Sequence, residues 1–156
     1  MNRRLTSTLL MLGLAAAQLA PAQSTASKPG NPVQFTRDTQ EVLGLFEGHV
    51  DLIGDYFGPL DFQRGLLNLT QGKSITVRVL TNAATAPNMK PLKAAGARVG
   101  VVPADFSRGA AGLMIVHGKA VVYPLKSGGY NVIRDVKVVQ GIAQSMEPYW
   151  RVASSY

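Results

Sequence analysis

Short apolar segments separated by glycine and proline are the feature that most limits how this chain can fold. The 156 residues include 16 Gly and 9 Pro, a content that argues against a helical bundle and favours small elements joined by turns. Residues 74–80 alternate in polarity and are rich in β-branched side chains, which predicts a strand.

Helix-like and strand-like segments alternate along the rest of the chain. Strands separated by short helices are typical of an α/β sandwich. The sequence therefore predicts one α/β domain whose mixed, mostly parallel sheet is flanked by helices and completed by an antiparallel hairpin. Helices are predicted at 36–46, 60–71, 88–95 and 141–150, and strands at 49–57, 74–80, 97–102, 113–123 and 130–139.

The first 22 residues have the pattern of an export signal. Two arginines precede an apolar run at 9–19, which is followed by the small-x-small sequence Ala-Pro-Ala. The run is shorter than the ~20 residues of a typical transmembrane helix, with an uncleaved anchor helix as the alternative. We expect a signal peptide at 1–22, export to the periplasm or medium, a flexible leader at 23–36, and a folded domain at 37–152 without a membrane-spanning segment.

Charge is divided unevenly along the mature chain. Residues 23–61 carry two basic and six acidic residues, net −4, whereas residues 62–156 carry twelve basic and three acidic residues, net +9. The basic part favours a polyanionic partner such as nucleic acid or anionic lipid headgroups, with a generic basic surface as the alternative. The absence of cysteine excludes disulfides and thiolate chemistry, and two histidines predict no structural metal site and no cofactor.

The segment predicted as the strand 113–123 carries two polar residues on one face. His117 and Lys119 are two positions apart, with Gly118 between them and apolar residues on both sides. Burying this pair is costly unless an anion compensates it. A phosphate would do so, with the lysine as a point charge and the histidine as nucleophile or acid. The alternative is an edge strand whose outer face carries both residues.

Three further residues are weighed as site candidates. Asn131 follows the turn at Gly128 and could donate to a bound oxyanion, although Gly-Gly turn chemistry also explains this segment. Arg108 lies in a loop that could line a pocket or be solvated. His49 opens a predicted strand without a carboxylate at motif spacing, and is interpreted as a surface or capping residue.

Over roughly residues 37–152 the chain resembles one repeat of the phospholipase D-like superfamily. The resemblance follows the element order, the His117-Gly-Lys119 sequence, the turn ending at Asn131, and a last short helix. The family pattern is His-x-Lys, four residues and Asp, then a Gly-Ser-x-Asn turn. The resemblance implies a phosphohistidine intermediate, a second histidine from another repeat or a dimer mate that protonates the leaving group, and no metal.

Matched to that pattern, His117 is the nucleophile, Lys119 the phosphate-binding lysine and Asn131 the turn asparagine. Pro124 stands where the family has Asp, and Gly129 where it has Ser, so the motif is degenerate. The group that orients His117 would then be a backbone carbonyl or one of three carboxylates. These three are Asp105, Asp135 and Glu147.

The predicted catalytic residues are His117, Lys119 and Asn131, whose side chains should converge within about 3–5 Å of one point. The predicted substrate contacts are Lys119, Asn131, Arg108 and Gly129. A two-histidine site would require a symmetric homodimer, because the chain has one His-x-Lys sequence.

The sequence thus predicts an exported phosphodiesterase of nuclease type with reduced or lost activity. Two alternatives remain. One is a non-catalytic domain that binds phosphate-rich polymers or lipid headgroups, and the other is a structural envelope domain with a vestigial motif.

Overall fold

The computed structural model describes residues 32–103 and 112–156. The expected signal peptide at 1–22 and Arg108 lie outside these residues. The strands are β1 (Val33–Thr36), β2 (Gly48–Ile53), β3 (Ile75–Asn82), β4 (Arg98–Val102), β5 (Leu113–Val116), β6 (Ala120–Pro124), β7 (Tyr130–Ile133) and β8 (Ser154–Ser155). The helices are α1 (Thr39–Leu43), α2 (Leu60–Gln71), a 3-10 turn (Ala86–Met89), α3 (Lys90–Ala94) and α4 (Val136–Val152).

The strands form one mixed sheet in the order β1-β7-β6-β5-β2-β3-β4-β8. The predicted α/β class with flanking helices is confirmed. Parallel pairing, however, is confined to β2, β3 and β4, which α2 and α3 connect by crossovers. The other neighbours are antiparallel. Two of these pairs, β5–β6 and β6–β7, are hairpins joined by short turns.

Side-chain alternation divides the core between the two faces of the sheet. Val50 and Leu52 of β2 belong to the larger cluster, which includes Phe62 and Leu66 of α2. Ile53 belongs to a smaller cluster that includes Val139 of α4. We call this second side the α4 face, and the buried Asp51 lies on it because it alternates with Val50 and Leu52.

The predicted strand 113–123 is wrong as a single element, since it is a hairpin. β5 ends at Val116, and the turn is formed by His117, Gly118 and Lys119. Gly118 adopts φ +72°, and the N–H of Lys119 donates to the Val116 carbonyl at 3.0 Å. The apolar residues on both sides conceal this reversal, because they are strand residues in either arrangement.

The predicted last strand, 130–139, is also too long. β7 ends at Ile133, and Asp135 caps α4 by accepting hydrogen bonds from the N–H groups of Lys137 and Val138 at 2.9 and 3.1 Å. The helix expected at 141–150 therefore begins at Val136.

At the other end of the domain, the flexible leader predicted for 23–36 is wrong for its last four residues. Val33–Thr36 form β1, which pairs with β7. The helix expected at 36–46 is shortened to Thr39–Leu43, where Asp38 is the cap. In the described part of the chain, no helix is long and apolar enough to cross a bilayer.

Candidate functional site

An open cleft lies on the α4 face, where β2, β3 and β4 begin and the β5–β6 turn ends. Register places His49 beside Thr76 and, one level further in, Asp51 beside Arg78. Because side chains alternate, both levels project from the same face. The cleft has a volume of about 440 Å³ and is lined by His49, Asp51, Thr76, Val77, Arg78, Gly96, Arg98 and His117.

The imidazole of His117 is held by a buried carboxylate. Its Nε2 lies 2.8 Å from Oδ2 of Asp51, whose exposed fraction is 1%. A carboxylate only accepts hydrogen bonds, so Nε2 carries the proton of the neutral ring and Nδ1 keeps its lone pair. The His117 side chain is 34% exposed, so a ligand in the cleft can reach it.

Arg78 balances the buried charge of Asp51. Its Nε lies 2.8 Å from Oδ1 and its Nη2 lies 2.7 Å from Oδ2, a bidentate arrangement. These contacts raise the pKa of Arg78, the hydrogen bond to Asp51 being the largest cause. The guanidinium also stacks on the ring of Trp150 at 4.4 Å and contacts Glu147 at 3.3 Å. Asp51 is therefore fixed by Arg78 while it orients His117.

Sequence reasoning missed Asp51. Of the three carboxylates considered, Asp105 lies outside the described residues, Asp135 caps α4, and Glu147 is paired with Arg78. The available signal was an aspartate within the apolar strand Gly48–Ile53, since a carboxylate buried there needs a partner.

Lys119 lies in the same turn as His117 but is directed elsewhere. Its Nζ is 2.9 Å from Oε1 of Glu47, an exposed residue in the loop before β2. Lys119 is therefore beside the cleft, and a surface ion pair holds its charge.

The structure does not bring Asn131 to His117, so the expected convergence of three side chains is wrong. Asn131 of β7 pairs with Tyr123 of β6. Tyr123 is three residues beyond Ala120, the first residue of β6 after the His117 turn. At ~3.4 Å per residue, this places it roughly 10 Å along the sheet from the turn. Gly129 precedes β7 at that same far end, where it packs under the ring of Phe35. The sequence did not show that β6 runs away from the His117 turn. The next turn, with Gly129, and the start of β7, with Asn131, therefore lie at the opposite end of β6.

His49, interpreted from sequence as a surface or capping residue, lines the cleft. The backbone N–H of His117 donates to the His49 carbonyl at 3.1 Å, so the two residues are neighbours across β2 and β5. Arg98 lines the other side, and within the described residues no ion pair neutralises it. Among those same residues, no group of three His, Asp or Glu side chains is placed to hold a metal ion.

Solved structures share this fold, although no protein-family model and no curated protein matches the chain. TrmBL2, an archaeal chromatin protein whose structure shows a novel mode of DNA binding, aligns with TM-score 0.58 and 14% identity over 84% of this chain and 57% of its own. Nuc, a phospholipase D family member from Salmonella typhimurium, aligns with TM-score 0.58 and 13% identity over 80% and 95%. NucT from Helicobacter pylori aligns with TM-score 0.56 and 12% identity over 80% and 97%.

The chain therefore has a phospholipase D-like fold. It spans little more than half of the archaeal chromatin protein and nearly the whole of the other two. Identities of 12–14% show the fold alone, and a shared fold does not specify the chemistry of the cleft.

Proposed function

We propose that this chain is an exported phospholipase D-like domain that binds phosphodiester groups of nucleic acid in the cleft and hydrolyses them slowly through His117. The observation that carries the proposal is the 2.8 Å contact between His117 and the buried Asp51. An imidazole that is fixed at one nitrogen and open at the other is what nucleophilic attack on phosphorus requires.

In the proposed reaction, Nδ1 of His117 bonds to phosphorus as the bond to the leaving oxygen breaks. The Asp51 carboxylate stabilises the positive charge that develops on the ring. The leaving oxygen takes up a proton and departs as an alcohol. Water then attacks phosphorus and gives up a proton, the P–N bond breaks, and a phosphomonoester is released. No step needs a metal, in keeping with the resemblance to the phospholipase D-like superfamily.

The charges around the cleft favour nucleic acid as the polyanion. Arg98 has no ion-pair partner within the described residues, and the part of the sequence from 62 onward carries the net +9. The cleft is open where β2, β3 and β4 begin, which gives a chain of phosphates room to pass along it. The archaeal chromatin protein, a fold neighbour whose structure shows a mode of DNA binding, supports the same choice.

Binding without hydrolysis is the second candidate, and one observation favours it. Lys119 is paired with Glu47 and Asn131 is distant, so two expected phosphoryl contacts are missing from the cleft. Weaker stabilisation of the transition state would leave an affinity for phosphates with little turnover.

Hydrolysis and binding, measured on one preparation, separate these candidates. We expect a chromogenic phosphodiester and DNA to be cleaved in EDTA, with at least about a 100-fold loss in His117→Ala. DNA affinity should fall steeply as salt rises, which fluorescence anisotropy can measure. Salt-sensitive binding without turnover would select the binding domain, and the absence of both would reject the two candidates.

Export is tested independently. Residues 1–22 carry the basic, apolar and small-x-small pattern of a signal peptide. The exported form should begin near Gln23, which N-terminal sequencing of the protein recovered outside the cytoplasm would detect. An intact N-terminus on a membrane-bound form would favour the anchor helix.

A further inference from the structure

Both histidines of the chain lie side by side in the cleft. Val50 pairs with Val116, and the hydrogen bond from the N–H of His117 to the carbonyl of His49 continues this register by one position. Side chains directly opposite each other on antiparallel strands have Cβ atoms about 4.5–5.5 Å apart. The two imidazoles therefore border the same part of the cleft, and one phosphoryl group can contact both.

The two rings have different surroundings. His117 is fixed by Asp51, whereas the ring of His49 has no hydrogen-bond partner among the described residues and is exposed. A fixed ring suits attack along one line, and an unrestrained ring suits exchange of a proton with substrate and water. The geometry thus separates a nucleophile from a proton carrier.

We infer that His49 is the proton donor to the leaving group, so that one chain supplies both histidines of the site. This inference rests on the proposed function. As Nδ1 of His117 bonds to phosphorus, the leaving oxygen takes a proton from the His49 imidazolium and departs as an alcohol. Neutral His49 then takes a proton from the water that attacks phosphorus, and the breaking P–N bond restores His117.

This assignment changes what a second copy of the chain is needed for. A single His-x-Lys sequence implies that the second histidine comes from a dimer mate. In this structure His49 of the same chain occupies the position beside the nucleophile. A homodimer is therefore not required to complete a two-histidine site.

Leaving-group dependence distinguishes a proton donor from a residue that only binds or shapes the cleft. A DNA phosphodiester releases a poor leaving group that needs a proton, whereas bis(p-nitrophenyl) phosphate releases a stable phenolate that does not. We expect His49→Gln to slow DNA cleavage about 100-fold or more. The same variant should release about one p-nitrophenolate per chain from bis(p-nitrophenyl) phosphate, then turn over slowly because the intermediate persists. His117→Gln should lose both activities.

Mixing the two variants tests whether the site lies within one chain. We expect His49→Gln and His117→Gln to remain inactive on DNA when combined, because neither chain has both rings. Restored cleavage in the mixture would overturn the inference and place the donor on a partner subunit. Loss of the p-nitrophenolate burst in His49→Gln, or no loss on DNA, would overturn it as well.

The outcomes for the proposed function are separate. EDTA-resistant cleavage that His49→Gln leaves unchanged would retain His117 as nucleophile and reject His49 as donor. A wild-type chain that cleaves neither substrate would also reject the donor role, while its salt-dependent DNA binding would still decide whether the cleft is a phosphate site. Thermal unfolding of His49→Gln should match the wild type, because His49 is exposed.

Discussion

The buried carboxylate of Asp51 lies 2.8 Å from Nε2 of His117, although 66 residues separate them in the chain. The contact exists because β2 and β5 are neighbours in the sheet. His117 directly follows β5, and its side chain contacts the diagonally opposite residue of β2, which is Asp51. A carboxylate in this position is costly to bury, and donors from His117 and Arg78 offset that cost. The same contacts that make the aspartate tolerable also orient the imidazole.

Replacing Asp51 with Asn is expected to lower both stability and turnover. The amide is neutral, so Arg78 loses its bidentate partner, and we expect unfolding to become easier by about 1–3 kcal/mol. Because an amide N–H can donate to Nε2, the substitution also favours the tautomer with its proton on Nδ1, where attack is blocked. Urea denaturation and DNA hydrolysis measure the two effects.

Glu147→Gln is the matched control for that substitution. Glu147 contacts the same Arg78 at 3.3 Å, but its side chain is 45% exposed. A surface ion pair of this kind contributes about 0–1 kcal/mol, so stability should change little and hydrolysis should persist. A loss of stability and hydrolysis as large as that of Asp51→Asn would show that burial of the carboxylate does not explain the effect of Asp51→Asn.

Local patterns in the sequence were sufficient for some elements and insufficient for others. The helix Leu60–Gln71 was predicted with its correct ends, because helical periodicity and the following Gly72 agree. The hairpin at His117 was missed because β5 and β6 are both apolar, and a turn of three residues adds only one glycine as a signal.

The candidate site was half predictable for a related reason. His117 is conspicuous because a polar pair interrupts an apolar segment, and the family resemblance adds to that signal. Its partner Asp51 depends on which strands become neighbours, a non-local property that no spacing in the sequence encodes. Asn131 was misplaced for the same reason, since its position follows from the β6–β7 register.

Glu47 and Lys119 should affect DNA binding in opposite directions. Their ion pair of 2.9 Å holds the lysine at the edge of the cleft. Glu47→Gln removes a negative charge and frees the lysine, so affinity at low salt should rise about 2- to 5-fold, whereas Lys119→Ala should lower it by a similar factor. Anisotropy titrations at several salt concentrations measure both. Differences that persist undiminished at high salt would argue against an electrostatic origin.

Gly129→Ala is expected to destabilise the domain without acting on the cleft. Gly129 has φ +87°, and an added Cβ would lie 2.7 Å from the Phe35 ring and 2.9 Å from the Thr36 carbonyl oxygen. The backbone oxygen cannot move aside easily, so we expect a loss of about 2–4 kcal/mol in the free energy of unfolding. Chemical denaturation measures it.

Gly128→Ala separates the two causes of that loss. Gly128 has φ +95°, but a Cβ there would meet nothing within 4 Å. It should therefore show only the backbone strain, about 1 kcal/mol. Equal losses in the two variants would mean that the contact with β1 contributes nothing.

Tyr130 should make the domain less stable at alkaline pH. Its side chain is almost fully buried, and burial raises the pKa of its phenol above the ordinary value of 10.0. Between the ordinary and the raised pKa the unfolded chain has lost this proton while the folded chain keeps it, so stability is complete below pH ~10 and falls as pH rises beyond it. Tyr130→Phe should reduce this alkaline decline, at the cost of about 0.5–1.5 kcal/mol near neutral pH for the lost contact with Thr39.

Thr39→Val is the control, because it removes the same contact but keeps the phenol of Tyr130. The stability of this variant should still decline at alkaline pH in unfolding curves recorded from pH 8 to 11. An unchanged decline in Tyr130→Phe would assign the alkaline sensitivity to another group.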